Sequence, residues 1–149
     1  MPPLYIFDLD GTLADAEHRM HYIQGEVQDW GGFFAACPAD KPILPVVRVM
    51  HALLYHGAEV WVWTGRSGEV LELTRQWLLS HTLLLPNTVL RMRGLKDRRP
   101  DYLVKEGWLR GMAPHDRERL VATFEDRQRV VDMWRANGVT CFHVAEGKF

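Results

Sequence analysis

Short apolar runs alternating with amphipathic stretches predict an α/β protein: a three-layer, doubly wound parallel sheet with five core strands and a short cap-like insertion after the first strand. Three observations carry this prediction. The apolar runs are nearly continuous, as expected of parallel strands buried on both faces. The stretches between them have helical spacing, the pattern of repeated strand-helix-strand units. Charged and hydroxyl side chains stand where the runs end, at Asp8, Thr64, Arg93 and from Phe124 onward. Open sheets of this kind bind their ligands beyond the carboxyl ends of the strands.

The first strand is read at 4–8 (LYIFD) and the second at 58–64 (AEVWVWT), which is rich in β-branched and aromatic residues. A short third lies at 88–92, a fourth at 120–124 (LVATF) and a fifth at 139–144 (VTCFHV). Between the first two strands, Val46, Met50, Leu53 and Leu54 share one helical face, and Gly57 supplies a stop. Residues 70–79 read as a helix with Trp77 inward. Residues 101–110 start a helix after Pro100, with the Asp101 carboxylate near its positive end. Val130, Met133 and Trp134 follow i, i+3, i+4 spacing, and Gly138 closes that helix.

Residues 13–41 break the alternation. They carry His18, Arg19, His21, Tyr22, Trp30, Phe33 and Phe34, with Gly31 and Gly32 between. A segment of about 30 residues buries too little surface to stand alone, so it reads as a small insertion near the site. Its aromatic residues admit two roles, stacking on a base at a nucleic-acid end or sealing the insertion against the body. His18 and His21 lack a third ligand at sensible spacing and are given no metal.

The 149 residues suit one domain, 1–149. A hydrophobic content of 47%, with six Trp, six Phe and four Tyr, excludes a disordered chain. Eighteen basic against 19 acidic residues, a net charge of −1, exclude a globally basic nucleic-acid coat but leave room for a local patch. Cys37 and Cys141 form neither a metal nor a disulfide pattern and read as reduced thiols. The start lacks a basic leader and already carries Asp8 and Asp10. The longest uncharged stretch, 76–90, is interrupted by Pro86 and is shorter than the ~20 residues a span needs. A soluble cytoplasmic protein without membrane contact is expected.

Four groups of residues at strand ends point to chemistry. Asp8-Leu9-Asp10-Gly11-Thr12-Leu13 places two carboxylates one residue apart, a repulsion that a cation relieves, with Gly11 permitting a sharp turn. Thr64-Gly65-Arg66 offers a hydroxyl, a backbone amide and a guanidinium, a set that cradles an oxyanion. Arg91, Arg93, Lys96, Arg98 and Arg99 oppose a single acid, Asp97, so this stretch is either a solvated face or a phosphate-binding surface. Glu125-Asp126 follows the fourth strand, and a strand beside the first would bring Asp126 next to Asp8, an all-oxygen site suited to Mg²⁺.

In this order, D-x-D-G-T, T-G-R, a lone Lys and an acidic pair, the chain resembles the haloacid-dehalogenase (HAD) phosphatase superfamily. More closely it is similar to the 3′-phosphatase half of phage-type polynucleotide kinase/phosphatases. The similarity covers nearly the whole chain, through 93–105, 125–135 and the ending Gly138-Val139, His143-Val144-Ala145, Gly147 and Phe149. The resemblance implies a Rossmann-like fold and these roles. Asp8 is the nucleophile that forms an aspartyl-phosphate. Asp10 is the general acid and base. Mg²⁺ is held by Asp8, the backbone carbonyl of Asp10, and Asp126. Thr64 and Lys105 hold phosphoryl oxygens. Arg19, Thr64, Gly65, Arg66, Arg93 and Asp101 bind or orient substrate, Asp101 through Lys105 or an arginine. Glu125 stands where the phage family has Asp, and the metal set is therefore drawn on Asp126. No G-x-x-x-x-G-K-[ST] occurs in the chain, so the kinase half is expected to be absent.

The implied activity is Mg²⁺-dependent removal of 3′-phosphates from DNA or RNA ends, as in end healing. A separate kinase or ligase is the implied partner, an oligomer is compatible, and the location is the cytoplasm, or the host cytoplasm for a phage-encoded protein. Two other readings use the same residues: a phosphatase of mononucleotides or other small phosphoesters, and a non-catalytic nucleic-acid-binding module. The full set of Asp8, Asp10, Thr64, Lys105 and Asp126 argues against the last.

Overall fold

The computed structural model describes residues 1–147, so Phe149 in the ending noted above lies outside the described residues. In chain order the strands are β1 (Leu4–Phe7), β2 (Ala14–Asp15), β3 (Lys41–Pro42), β4 (Glu59–Ser67), β5 (Leu90–Arg93), β6 (Leu120–Glu125) and β7 (Cys141–His143). The helices are α1 (Trp30–Ala35), α2 (Leu44–Tyr55), α3 (Leu71–His81), α4 (Asp101–Arg110), α5 (Pro114–Arg119) and α6 (Gln128–Ala136).

Five strands make one sheet in the order β5-β4-β1-β6-β7, every pairing parallel. The side-chain period of two divides each strand between two cores. On one face Leu4 and Ile6 of β1 and Trp63 of β4 pack with Leu109 of α4 and with Val130, Val131 and Trp134 of α6. On the other, Phe7, Val60 and Val62 pack with Val47 and Met50 of α2 and with Trp77 and Leu78 of α3. Phe7 also stacks on Phe124 with the ring centroids 4.2 Å apart. Burial on both faces explains why these strands read as continuous apolar runs, each large side chain contributing about 1.5–3 kcal/mol.

The predicted doubly wound α/β sheet is thus the observed one, with differences at element edges. The second strand does not stop at Thr64: β4 continues through Gly65 and Arg66 to Ser67, and its pairing with β5 breaks register between Thr64 and Ser67. The third strand lies at Leu90–Arg93, and α3 starts after a single 3₁₀ turn at Gly68–Val70. Helix α5 was not legible because it buries none of its residues and so has no apolar period.

Residues 13–41 are bounded by the antiparallel pair β2-β3, with Ala14 opposite Pro42 and Asp15 opposite Lys41. The segment holds 3₁₀ turns at Glu17–Tyr22 and Cys37–Ala39, helix α1, and a small core of Met20, Ile23 and Phe33. Cys37 and Cys141 are both free and buried. Among the described residues no helix is long and apolar enough to cross a membrane.

The strand order reverses direction between β1 and β6. The crevice outside the carboxyl ends of those two strands is where such sheets place their ligands.

Candidate active site

Strand β1 ends one residue before Asp8, whose backbone N–H continues the ladder to the Phe124 carbonyl at 3.0 Å. The chain then turns back on itself, with Gly11 N–H donating to the Ala14 carbonyl at 2.9 Å. Gly11 has φ +80°, and a Cβ there would overlap Asp126 Oδ2. Only glycine combines that backbone conformation with so close an approach.

Both Asp8 oxygens are held. Lys105, carried inward by α4, donates from Nζ to Asp8 Oδ1 at 2.8 Å, and Thr12 Oγ1 donates to Oδ2 at 3.2 Å. Lys105 Nζ also donates to Glu125 Oε1 at 2.8 Å and lies 3.8 Å from Asp101 Oδ2, one helical turn earlier. Burial opposes the lysine's charge, but Asp101, Asp8 and Glu125 together outweigh it and hold its pKa well above the ordinary value.

Strand β6 brings Glu125 and Asp126 beside Asp8, and ligand oxygens of these three residues lie within 4.8 Å of one another. Glu125 Oε1 accepts from Lys105 and from Trp134 Nε1 (3.2 Å). Glu125 Oε2 and Asp126 Oδ1 are buried with no hydrogen-bond partner among the described residues. Burial, reinforced by the Asp8 charge, pushes the Asp126 carboxyl up to about 8 and Glu125 well above the carboxylate range. Three clustered carboxylates with two orphaned oxygens fit a hard divalent cation such as Mg²⁺, whose charge would offset their burial. Glu125, given no ligand in the sequence reading, therefore sits among the candidate ligands. Strand pairing brings it there, and its extra methylene did not advertise that.

The Asp10 side chain turns away from this cluster into an arginine clamp. Arg19 donates from Nη2 to Asp10 Oδ1 at 2.7 Å, and Arg66 from Nη2 to the same oxygen at 2.6 Å. Burial pushes the Asp10 carboxyl up, but Arg66 and Arg19 outweigh it and hold the pKa below the ordinary value. The same guanidiniums are braced from behind by buried Asp40. Arg19 meets it through Nε and Nη2, each at 2.8 Å, and Arg66 through Nη2 at 2.9 Å. Arg66 Nη1 donates to Thr74 Oγ1 (3.0 Å), and Arg19 Nη1 to the Phe33 carbonyl (3.2 Å). Arg66 borders the cavity described below, whereas Arg19 is fully buried behind Asp10. Sequence reasoning missed Asp40, because its partners lie 21 and 26 residues away and no local pattern announces them. His18 Nε2 meets Asp40 Oδ1 at 2.7 Å, and His21 Nδ1 lies 3.1 Å from the His18 carbonyl.

Thr64, Gly65 and Arg66 line the crevice beside β1, and Thr64 Oγ1 accepts from the Arg66 N–H at 3.2 Å. A Cβ on Gly65 would overlap Asp101 Oδ1, so glycine lets α4 press its first residue against β4. Asp101 is a charge hub: Arg93 Nη2 lies 3.8 Å away and Arg127 Nη1 3.9 Å away. Arg93 Nε donates to the Gly65 carbonyl at 2.8 Å, tying the basic run to the T-G-R segment.

Asp8 and Asp10 open into a cavity of about 780 Å³, within the size usual for ligand sites. Its rim divides the basic run. Arg93, Arg98 and Arg99 border it, while Arg91 turns the other way and lies over the Trp63 and Trp108 rings at 5.9 and 5.1 Å.

A carboxylate at the tip of the central strand, paired to a buried lysine and flanked by an acid cluster, stands on a doubly wound α/β sheet whose fold solved hydrolases share. A hydrolase from Streptococcus pneumoniae TIGR4 superposes with a TM-score of 0.56, covering 98% of this chain and 95% of its own at 14% identity. A class C acid phosphatase from Bacillus anthracis, with tungstate bound, superposes with a TM-score of 0.68 over 99% of this chain and 68% of its own at 12% identity. The chain is a member of the HAD family described as the polynucleotide kinase PNKP phosphatase domain, whose model matches residues 2–149. It is thus a member of a phosphatase family, hydrolases of phosphate esters. A chain of the Pnkp1/Rnl/Hen1 RNA repair complex is 28% identical with a TM-score of 0.79, and one from a second structure of the Pnkp1/Rnl/Hen1 complex is 27% identical with a TM-score of 0.83. Each match covers 99% of this chain but only 44% and 48% of those longer chains.

Proposed function

We propose that the protein is a Mg²⁺-dependent phosphomonoesterase that removes 3′-phosphates from nucleic-acid ends through an aspartyl-phosphate. The observation that carries the reading is Asp8, held at both oxygens by Lys105 and Thr12, opening into a cavity with a basic rim. RNA repair in the similar complex supports ends of RNA among the substrates and partnership with other repair enzymes, a kinase or ligase among them.

In this reading an Asp8 oxygen attacks phosphorus and the bond to O3′ breaks. Asp10 gives O3′ its proton. Water then attacks the phosphoryl group, Asp10 takes back a proton, and the bond to Asp8 breaks, releasing inorganic phosphate. Arg19 and Arg66 act by aiming the Asp10 carboxyl, a revision of the expectation that they contact substrate, since both guanidiniums are committed to Asp10 and Asp40. Arg-bound Asp10 is a carboxylate in the resting site, and the negative charge of an arriving phosphate raises its proton affinity. Lys105 and Thr64 receive phosphoryl oxygens, Asp101 orients Lys105 and Arg93, and Gly65 makes the room that Asp101 needs beside β4. Asp8, Glu125 and Asp126 would hold a Mg²⁺ together with the Asp10 carbonyl, and the ion when bound would supply charge neutralisation at the phosphate.

The test is phosphate release with Mg²⁺ from a 3′-phosphorylated oligonucleotide, its 5′-phosphorylated twin and a 3′-mononucleotide, with Asp8→Asn as control. Strong preference for the 3′-phosphorylated oligomer is expected. Equal or better turnover of the mononucleotide moves the function to small phosphoesters. Release undiminished in Asp8→Asn overturns the nucleophile.

A further inference from the structure

Besides its basic rim the cavity has aromatic lining, and that lining comes from the insertion. Helix α1 begins with Trp30, and Trp30, Phe33 and Phe34 all border the cavity that Asp8 and Asp10 open into. Trp30 is 44% exposed. The role of sealing the insertion falls instead to Phe33, which is 1% exposed and joins Met20 and Ile23 in the small core. A sealing tryptophan would be buried in the same way; this one is not.

The exposed ring is also held. Its edge-to-face contact with Phe33 has centroids 5.7 Å apart at 86°, Phe34 lies 6.0 Å away, and its Nε1–H donates to Gln28 Oε1 at 3.3 Å. Asp29 Oδ1 accepts from Gly32 N–H at 2.9 Å and caps the helix that carries it. A fixed, solvent-facing aromatic face costs little further ordering when a flat ligand lands on it.

The wall is coupled to the chemistry through one side chain. The Arg19 guanidinium lies 4.4 Å from the Phe33 ring centroid and donates to the Phe33 carbonyl, while its Nη2 donates to Asp10. The helix that presents the aromatic face and the proposed acid are thus tied to one guanidinium, and both border the same cavity. Arg98 and Arg99, which border the same cavity, offer charge to a phosphodiester.

We infer that Trp30, backed by Phe34, stacks on the base of the 3′-terminal nucleotide and makes the site sensitive to the presence of that base. The inference rests on the proposed action at nucleic-acid ends and adds a specificity determinant to it. Stacking tolerates every base, since each has a π-face, so terminal sequence has little effect while loss of the base has a large one.

The experiment crosses protein and substrate. Wild type, Trp30→Ala and Trp30→Phe are each given 3′-phosphorylated oligonucleotides whose terminal nucleotide either carries its base or is abasic. Removing the base is expected to lower kcat/KM of the wild type about 5- to 150-fold, the range typical of one stacked base. Trp30→Ala is expected to show the same loss on the intact substrate and no further loss on the abasic one. Trp30→Phe should recover most of the activity. Equal losses of Trp30→Ala on both substrates would mean a structural role and overturn the inference, as would a wild type indifferent to the base, a result that needs no variant to fold. Absence of release by wild type from any 3′-phosphorylated oligonucleotide defeats the proposed function itself, and this inference with it.

Discussion

Lys105 donates a hydrogen bond to Asp8 across 97 residues of chain, and neither side chain has more than a trace of solvent exposure. The same ammonium reaches Glu125 at 2.8 Å, so a single cation compensates two buried acids. Removing one partner from a buried pair commonly costs about 3–5 kcal/mol, because the charge left behind is unpaired. Lys105→Ala is expected to lower the unfolding midpoint in thermal melts and to reduce phosphate release at least ~100-fold. Unchanged melting would mean that Asp8 and Glu125 do not need the lysine.

Asp40 touches neither the cavity nor the acid cluster, yet it braces both arginines that aim Asp10. Asp40→Asn keeps its volume and leaves two buried guanidiniums sharing one carboxylate. A fall in kcat of about tenfold or more is expected, with little change in KM, as for a residue that positions another group. Steady-state kinetics separate this from a substrate contact, which would raise KM.

The close approach at Gly11 gives a test of the acid cluster. Gly11→Ala places a methyl group against Asp126 at a left-handed backbone position, a strain of about 1–2 kcal/mol before any displacement. The variant is expected to bind Mg²⁺ more weakly in calorimetric titration. Mg²⁺ affinity equal to wild type would exclude Asp126 from the ligand set.

Stability should depend on pH in a definite direction. With Asp126 raised to about 8 from an unfolded value near 3.8, the folded metal-free protein binds more protons than the unfolded chain between those limits. Stability therefore falls as pH rises from 4 to 8 and levels off above, through this group. Melting temperatures in EDTA should drop from pH 5 to pH 8, and Mg²⁺ should restore more stability at pH 8 than at pH 5. A metal-free melting temperature that rises across this window would contradict the assignment.

Arg98 and Arg99 border the cavity without touching Asp8, and Arg99 is spent partly on Asp97 at 2.7 Å. Charge reversal at both should depress turnover of a 3′-phosphorylated oligonucleotide more than that of a 3′-mononucleotide. It should also flatten the salt dependence, by about one in log–log slope for each phosphate that is no longer neutralised. Equal effects on the two substrates would remove this rim from polymer recognition.

Much of this was legible in the chain because it is local. Five apolar runs and the helical faces between them determined a doubly wound parallel sheet, since a run that must be buried on both sides has few other solutions. Asp8, Asp10, Thr64 and Asp126 could be placed near one another without a structure, because each sits at a strand end, and parallel strand ends converge on one edge. Gly11 was legible for the same reason: a turn must follow that strand.

Tertiary structure decided what depends on long-range pairing. Which oxygens Lys105 meets, that Glu125 joins the acids, that Asp40 locks Arg19 to Arg66, and that Arg91 leaves the basic run to lie on tryptophan rings all follow from packing between distant segments. The same holds for Trp30 and Phe33, neighbours in one short helix that both border the cavity: packing within the insertion buries Phe33 and leaves Trp30 half exposed. Composition cannot separate them, because the difference lies in which side of α1 meets the rest of the insertion, and that is settled only when the chain has folded.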